Sequence, residues 1–318
     1  MKKSKKKIVV IGGGTGIFSV LSGLKHHFEN ITAIVTMADD GGSTGILREE
    51  FGILPPGDIR RAIIALSDSD NKSLSELFNY RFKEGSGLSG HSLGNLIITA
   101  LERITGSFEG AIDEVSKILR VKGKILPVTL KTTYLMAELE NGVVIKGETN
   151  IDIPKHDGQT RIKKVWLKPA TVINPQAKKA LLGADFIIIG PGDLYSSLIP
   201  NLLVNGMKET LRRARGKKIF FVNLMTKFGE TTGFKASDFM KAIEQYLGKN
   251  ILDYIVMNST KPSPSRLRPY VVERSEFVEA DLENFGRRPL PIATDLLRQG
   301  SLIRRDPEKV AQVVKMLV

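Results

Sequence analysis

The chain has 318 residues, 42% of them hydrophobic, which is enough for one large α/β domain or two smaller ones and too apolar for a disordered chain. It contains no cysteine, so disulfides, thiolate zinc sites, iron–sulfur clusters and cysteine nucleophiles are excluded by inventory. Lysine and arginine total 47 against 34 acids, a formal charge of +13; Lys2, Lys3, Lys5, Lys6 and Lys7 supply five of these positives, and without them +8 remains. Such an excess suits a ligand that carries phosphates. The other basic residues are scattered pairs, with no helix-turn-helix, zinc-finger or RNA-recognition signature, so no nucleic-acid partner is expected.

Residues 1–6 read as a basic solvated tail. Residues 7–11 form a β-branched run, followed by Gly12-Gly13-Gly14-Thr15-Gly16 and a helical pattern over 17–28, which is strand, phosphate-type turn and helix. The glycines also break the apolar run, so the segment is neither a signal peptide nor a membrane span, and a cytoplasmic protein with no membrane insertion is expected. A second strand over 31–37 closes a βαβ unit and runs into Ala38-Asp39-Asp40-Gly41-Gly42-Ser43. Residues 56–120 read as helical: Asp58 caps one helix, Ser73 the next, and 91–104 is long and amphipathic. Residues 7–123 are therefore the first part of an α/β nucleotide-binding fold.

Between 124 and 173 the pattern changes to short β runs, including 135–139 and 143–146 around Asn141-Gly142, a hairpin signal; this is expected to be a β-rich insertion with Trp166 in its core. From 174 to 318 the alternation resumes, with strands at 185–189, 217–222 and 253–257 and helices near 200–214 and 236–247. An irregular proline-studded stretch follows, then a final helix from Pro307 capped by Asp306. The expected fold is α/β: a Rossmann-like parallel sheet with helices on both faces and a β-rich insertion.

Three loops at strand ends can hold a phosphate-bearing ligand. Gly12, Gly13, Gly14, Thr15 and Gly16 allow close backbone approach at a helix start. The third glycine of the dinucleotide fingerprint is replaced by Ile17, so NAD fits less well. Asp39 and Asp40, beside Gly41, Gly42 and Ser43, can hold Mg²⁺ against a diphosphate. Gly190, Pro191, Gly192, Asp193, Tyr195 and Ser196 form the third loop. For each loop the alternative is a turn that holds no ligand. His91 and Asn95 are four apart on the long helix and are the candidates for a catalytic role. His26, His27 and His156 lack metal-ligand spacing. Arg266, Arg268 and Tyr270, with Arg304 from the carboxyl side, can reach the crevice rim to grip a diphosphate or stack a base.

Gly-Gly-Gly-Thr-Gly at 12–16, Asp-Asp-Gly-Gly-Ser at 39–43, Pro-Pro-Gly-Asp-Ile-Arg at 55–60, Gly-His-Ser-Leu-Gly-Asn-Leu at 90–96 and Gly-Pro-Gly-Asp-Leu-Tyr-Ser-Ser at 190–197 together resemble the gluconeogenesis factor family, which is related to the archaeal phospholactate transferases. The resemblance runs from Lys7 to the carboxyl end. It implies a Rossmann-like core, binding of uridine-diphosphate sugars such as UDP-N-acetylglucosamine, and a role in cell shape during growth on gluconeogenic carbon. In the transferase branch a guanosine-diphosphate-linked donor and a deazaflavin acceptor meet at the same crevice with Mg²⁺. The favoured expectation is a nucleotide-sugar-binding regulatory protein with regulatory partners in cell-wall metabolism, no required cofactor and no required turnover. The alternatives are a Mg²⁺-dependent phosphotransferase, in which the donor would carry GDP, and an NAD(P)-binding oxidoreductase. A homodimer is the default for a chain of this kind.

Overall fold

The computed structural model describes residues 3–68, 72–155 and 157–318; Lys2 and His156 lie outside them. The first half contains β1 (Ser4–Gly12), α1 (Gly14–Leu24), β2 (Phe28–Val35), α2 (Gly42–Phe51), α3 (Pro56–Leu66), α4 (Lys72–Asn79), α5 (Leu93–Thr105), α6 (Phe108–Ile118) and β3 (Lys124–Pro127). The middle contains β4 (Tyr134–Leu139), β5 (Val144–Lys146), α7 (Glu148–Asp152) and β6 (Ile162–Lys168). The second half contains α8 (Pro175–Leu182), β7 (Phe186–Ile189), α9 (Ile199–Leu202), α10 (Met207–Arg213), β8 (Lys217–Phe221), α11 (Ala236–Leu247), β9 (Tyr254–Asn258), α12 (Pro264–Val272), β10 (Leu290–Thr294) and α13 (Pro307–Leu317).

Seven strands form one sheet in the order β10-β9-β8-β7-β1-β2-β3, with every pairing parallel. Residues 8–11 and β7 are buried along their whole length, as strands covered on both faces must be. The chain winds outward from β1 through β2 and β3, then returns to β1's other side and winds the opposite way through β7, β8, β9 and β10. Right-handed crossovers in opposite directions put helices on both faces, and the strand order reverses at β1. The loops that leave β1 and β7 therefore meet at this reversal, beside a crevice. A second, antiparallel sheet has the order β5-β4-β6.

The α/β fold, the parallel sheet and the separate β-rich unit agree with the sequence reading, and the differences are local. β1 begins at Ser4, because Ser4 N donates to the His27 carbonyl and draws part of the lysine tail into the strand. β3 pairs with β2, so residues 124–127 belong to the main sheet and the antiparallel sheet starts at Tyr134. Trp166 is not core: alternation along β6 buries Val165 and Leu167 and turns Trp166 to the other side, beneath the Lys164 ammonium. His91 precedes α5, whose N-cap is the extended residue Ser92. The proline-studded stretch contains α12, with Pro269 inside it, and the edge strand β10.

α1 packs against the loop after β7 with no space for a side chain at Gly16: a Cβ there would stand 2.3 Å from the Pro191 carbonyl oxygen. Gly286 meets nothing within 4 Å. Gly16→Ala is expected to lower stability by about 1–3 kcal/mol in urea titration, and Gly286→Ala to leave it within about 0.5 kcal/mol. Equal midpoints for the two variants would refute this packing account.

Candidate functional site

β1 ends in Gly12, and the turn that follows brings α1's N-terminus to the rim of the crevice. Gly14 has φ +61°, a conformation that favours glycine. Its N–H is already taken: Gly14 N donates to Asp58 Oδ1 at 2.9 Å, and Arg61 Nη1 donates to the same oxygen at 2.7 Å. A Cβ on Gly13 would lie 2.6 Å from Asp58 Oδ2 and 2.9 Å from Thr36 Cγ2. Gly13 is therefore needed for the approach of the protein's own carboxylate from α3. Asp58, read from sequence as a helix cap, instead joins α3 to α1.

The second loop divides into different jobs. Asp40 accepts from Thr149 N and Thr149 Oγ1, both at 2.9 Å, and from Glu148 N at 3.2 Å, so it caps α7. Burial, then the charge of Asp58, push the Asp39 carboxyl up to about 6. Ser43 is buried, and its hydroxyl meets His91 Nδ1 at 3.2 Å and accepts from Asn95 Nδ2 at 3.3 Å. Asn95 Oδ1 in turn accepts from Arg60 Nε at 3.0 Å. His91 and Asn95 thus meet on one hydroxyl, although only Asn95 is on the helix.

The third loop wraps a buried acid. Glu230 accepts from Tyr195 N at 2.8 Å and from Ser196 Oγ at 2.8 Å. Asp152, Asp193 and Glu230 offer oxygens that all lie within 4.8 Å of one another. Lys227 serves this group as a built-in cation: Nζ pairs with Asp152 and lies 3.1 Å from Asp193. Burial lowers the Lys227 pKa, but the surrounding Asp193, Glu230 and Asp152 outweigh it and the net shift is upward. Burial and then Asp193 push Glu230 up to about 7. Glu148 feels both acidic groups: burial first, then the charges of Asp39 and Asp152, push it up to about 10.

A crevice of about 920 Å³ opens beside these groups. Of the residues singled out in the sequence, Gly14, Thr15, Gly16, Gly192, Asp193, Tyr270 and Arg304 line it. Gly12, Gly13, the 39–43 loop, His91, Asn95, Gly190, Pro191, Tyr195, Ser196, Arg266 and Arg268 do not. Arg266 donates to the Arg298 and Leu302 carbonyls and so braces the rim. The sequence reading missed Arg60, Arg61, Asp152, Lys227, Arg298 and Arg305 as lining residues. Lys227 and Glu230 were within its reach, since they follow the strand at 217–222 just as the other loops follow theirs.

The family described as 2-phospho-L-lactate transferase CofD matches residues 8–296. The chain belongs to it. CofD-family relatives named gluconeogenesis factor come from Bacillus subtilis (44% identity, 98% of this chain and 97% of that protein) and Halalkalibacterium halodurans (42%, 98% and 96%). The crystal structure of a Bacillus halodurans protein superposes with a TM-score of 0.93 at 40% identity, covering 98% of this chain and all of that one. Within the CofD family this chain is thus similar to the gluconeogenesis factors over nearly its whole length.

The raised Asp39 carboxyl has a sign that can be measured. Its folded pKa exceeds the unfolded value, so the native state holds the extra proton between about pH 4 and 6, and stability falls as pH rises through that window. Asp39→Asn, which cannot charge, is expected to gain about 1–2 kcal/mol on the wild type between pH 4 and pH 7 in urea titrations with chelator present. A difference that does not change with pH would refute the assignment.

Proposed function

We propose that the crevice binds a nucleotide sugar of the uridine-diphosphate type, UDP-N-acetylglucosamine among them, and that the protein acts in the cytoplasm as a regulatory binding protein for cell shape on gluconeogenic carbon. The observation that carries this reading is the convergence of the loops after β1, β7 and β8 at the point where strand order reverses, with Arg60, Arg61, Arg298 and Arg304 among the residues lining the space. The names of the relatives support the metabolic setting. No side chain lining the crevice forms a nucleophile–base pair, so binding alone accounts for the residues present among those described. Protein partners in cell-wall metabolism would read the bound state, and a homodimer is part of the same proposal.

A second reading has its own support: a Mg²⁺-dependent phosphotransferase with a guanosine-diphosphate-linked donor, suggested by the name of the matching family and by the mutual repulsion of the Asp39 and Asp58 carboxylates. The donor set fits Mg²⁺, a hard cation that takes carboxylate oxygens. Asp39 and Asp58 would hold it, while Asp40 is committed to α7. The ion would screen a diphosphate from the carboxylates around it. In the binding reading it is an aid and no cofactor is required.

In a thermal-shift panel, uridine-diphosphate sugars are expected to raise the melting midpoint more than guanosine diphosphate, NAD⁺ or NADP⁺. At one hundred times the dissociation constant a ligand adds about 2.7 kcal/mol, a shift of several degrees for a chain of this size. Arms with Mg²⁺ and with chelator test the aspartates. A larger shift with guanosine diphosphate and Mg²⁺ moves the assignment to the transferase, and a larger one with NAD⁺ to the oxidoreductase.

A further inference from the structure

Among the described residues, several buried or part-buried cations have partners that offset their loss of water, and Arg305 has little to offset it. Arg60 donates to Asn95, Asn79 and the Phe78 carbonyl. Arg48 donates to the Asp39 and Thr133 carbonyls and stacks on Tyr134. Lys227 has its carboxylates. Arg305 has a single bond, from Nη2 to the Val222 carbonyl; its Nε is buried with no acceptor, and no carboxylate among the described residues pairs with it. Burial alone pushes its pKa down to about 9, with no neighbouring charge acting against that. Its position is nevertheless fixed. Tyr270 Oη accepts from Ile303 N at 3.0 Å and donates to Ile303 O at 3.3 Å, the Arg305 backbone bridges to Leu297, and Asp306 N donates to Leu296 O. Arg305 lines the crevice, with Arg298 and Arg304 beside it on the same wall.

A desolvated cation with no counter-charge is unfavourable to the free protein, and a fold that holds it rigidly at a crevice wall has left a place for an anion. We propose that Arg305 is the preformed counter-charge for a phosphoryl group of the crevice ligand. The proposal rests on the crevice being the ligand site, and it adds the residue that grips the phosphate and the reason this wall is charged. It also turns Tyr270 into a positioning residue: with its hydroxyl engaged on both sides of Ile303, it orients the arginine segment and does not offer that hydroxyl to the ligand.

The experiment compares wild type with Arg305→Met and Arg305→Gln, using inorganic pyrophosphate, uridine diphosphate and uridine as probes in calorimetry, with melting of each protein alone. Removing an unpaired buried charge is expected to raise the midpoint of the free Met variant by about 2 °C. The same variant is expected to lose at least tenfold in affinity for pyrophosphate and uridine diphosphate and to keep its affinity for uridine. The Gln variant keeps a donor for Val222 and is expected to lose phosphate affinity equally, which separates charge from scaffolding and serves if the Met variant does not fold. Unchanged pyrophosphate affinity in both variants, or a lower midpoint with phosphate affinity intact, would overturn the proposal. If pyrophosphate binds through Arg305 while no uridine nucleotide binds, the phosphate grip stands and the nucleotide-sugar reading falls; if uridine-diphosphate sugars bind all three proteins alike, this proposal falls alone.

Discussion

The carboxylate of Asp58 sits at the N-terminus of α1, accepting from Gly14 N and from Arg61, and the arrangement of the crevice follows from that contact. An unpaired helix N-terminus attracts an anion, and here the fold supplies one of its own from α3. Asp58 could not approach if residue 13 carried a side chain. Once it is in place, its charge adds to burial in raising the carboxyl of Asp39. The glycine turn therefore holds an internal acid, and it leaves Thr15 and Gly16 to face the space beyond.

The crevice that results has two unlike walls. One is acidic, carrying Asp152 and Asp193 with Lys227 paired to both. The other presents Arg298, Arg304 and Arg305. A ligand spanning the two would place phosphate on the arginine wall and would need a cation, a proton or neutral hydroxyl groups against the acidic one. A sugar attached to a diphosphate has that mixture of groups.

How much of this was legible in sequence depends on the distance over which each feature is determined. Strands such as β7 and the helix over 236–247 are set by local apolar patterning and by nearby turns, and they lie where the pattern puts them. The glycine loops were legible for the same reason. Contacts made across the fold were not: nothing in Pro55-Pro56-Gly57-Asp58 says that Asp58 will reach Gly14, 44 residues away, or that Asp40 will cap α7, 109 residues away. The place of Lys227 after a strand was legible, but its pairing with Asp152 and Asp193 was not, because those acids come from other parts of the fold. Arg305 is the hardest case, since its significance lies in partners that it does not have.

The place of β1 in the interior of the sheet has a further consequence, for how the chain reaches its native state. One side of β1 pairs with β2, a neighbour in sequence, but the other pairs with β7, and the contact between Lys7 and Asp185 closes a loop of 178 residues. A ribosome releasing this chain from its amino end exposes a lysine-led, otherwise apolar strand whose second flank has not yet been made. Until β7 emerges, that open edge can pair with another chain, and the lysines at its start supply the charge that discourages such pairing. The long closure that seats β7 beside β1, entropically costly by its length, is also the contact that brings the third loop against the first and creates the crevice.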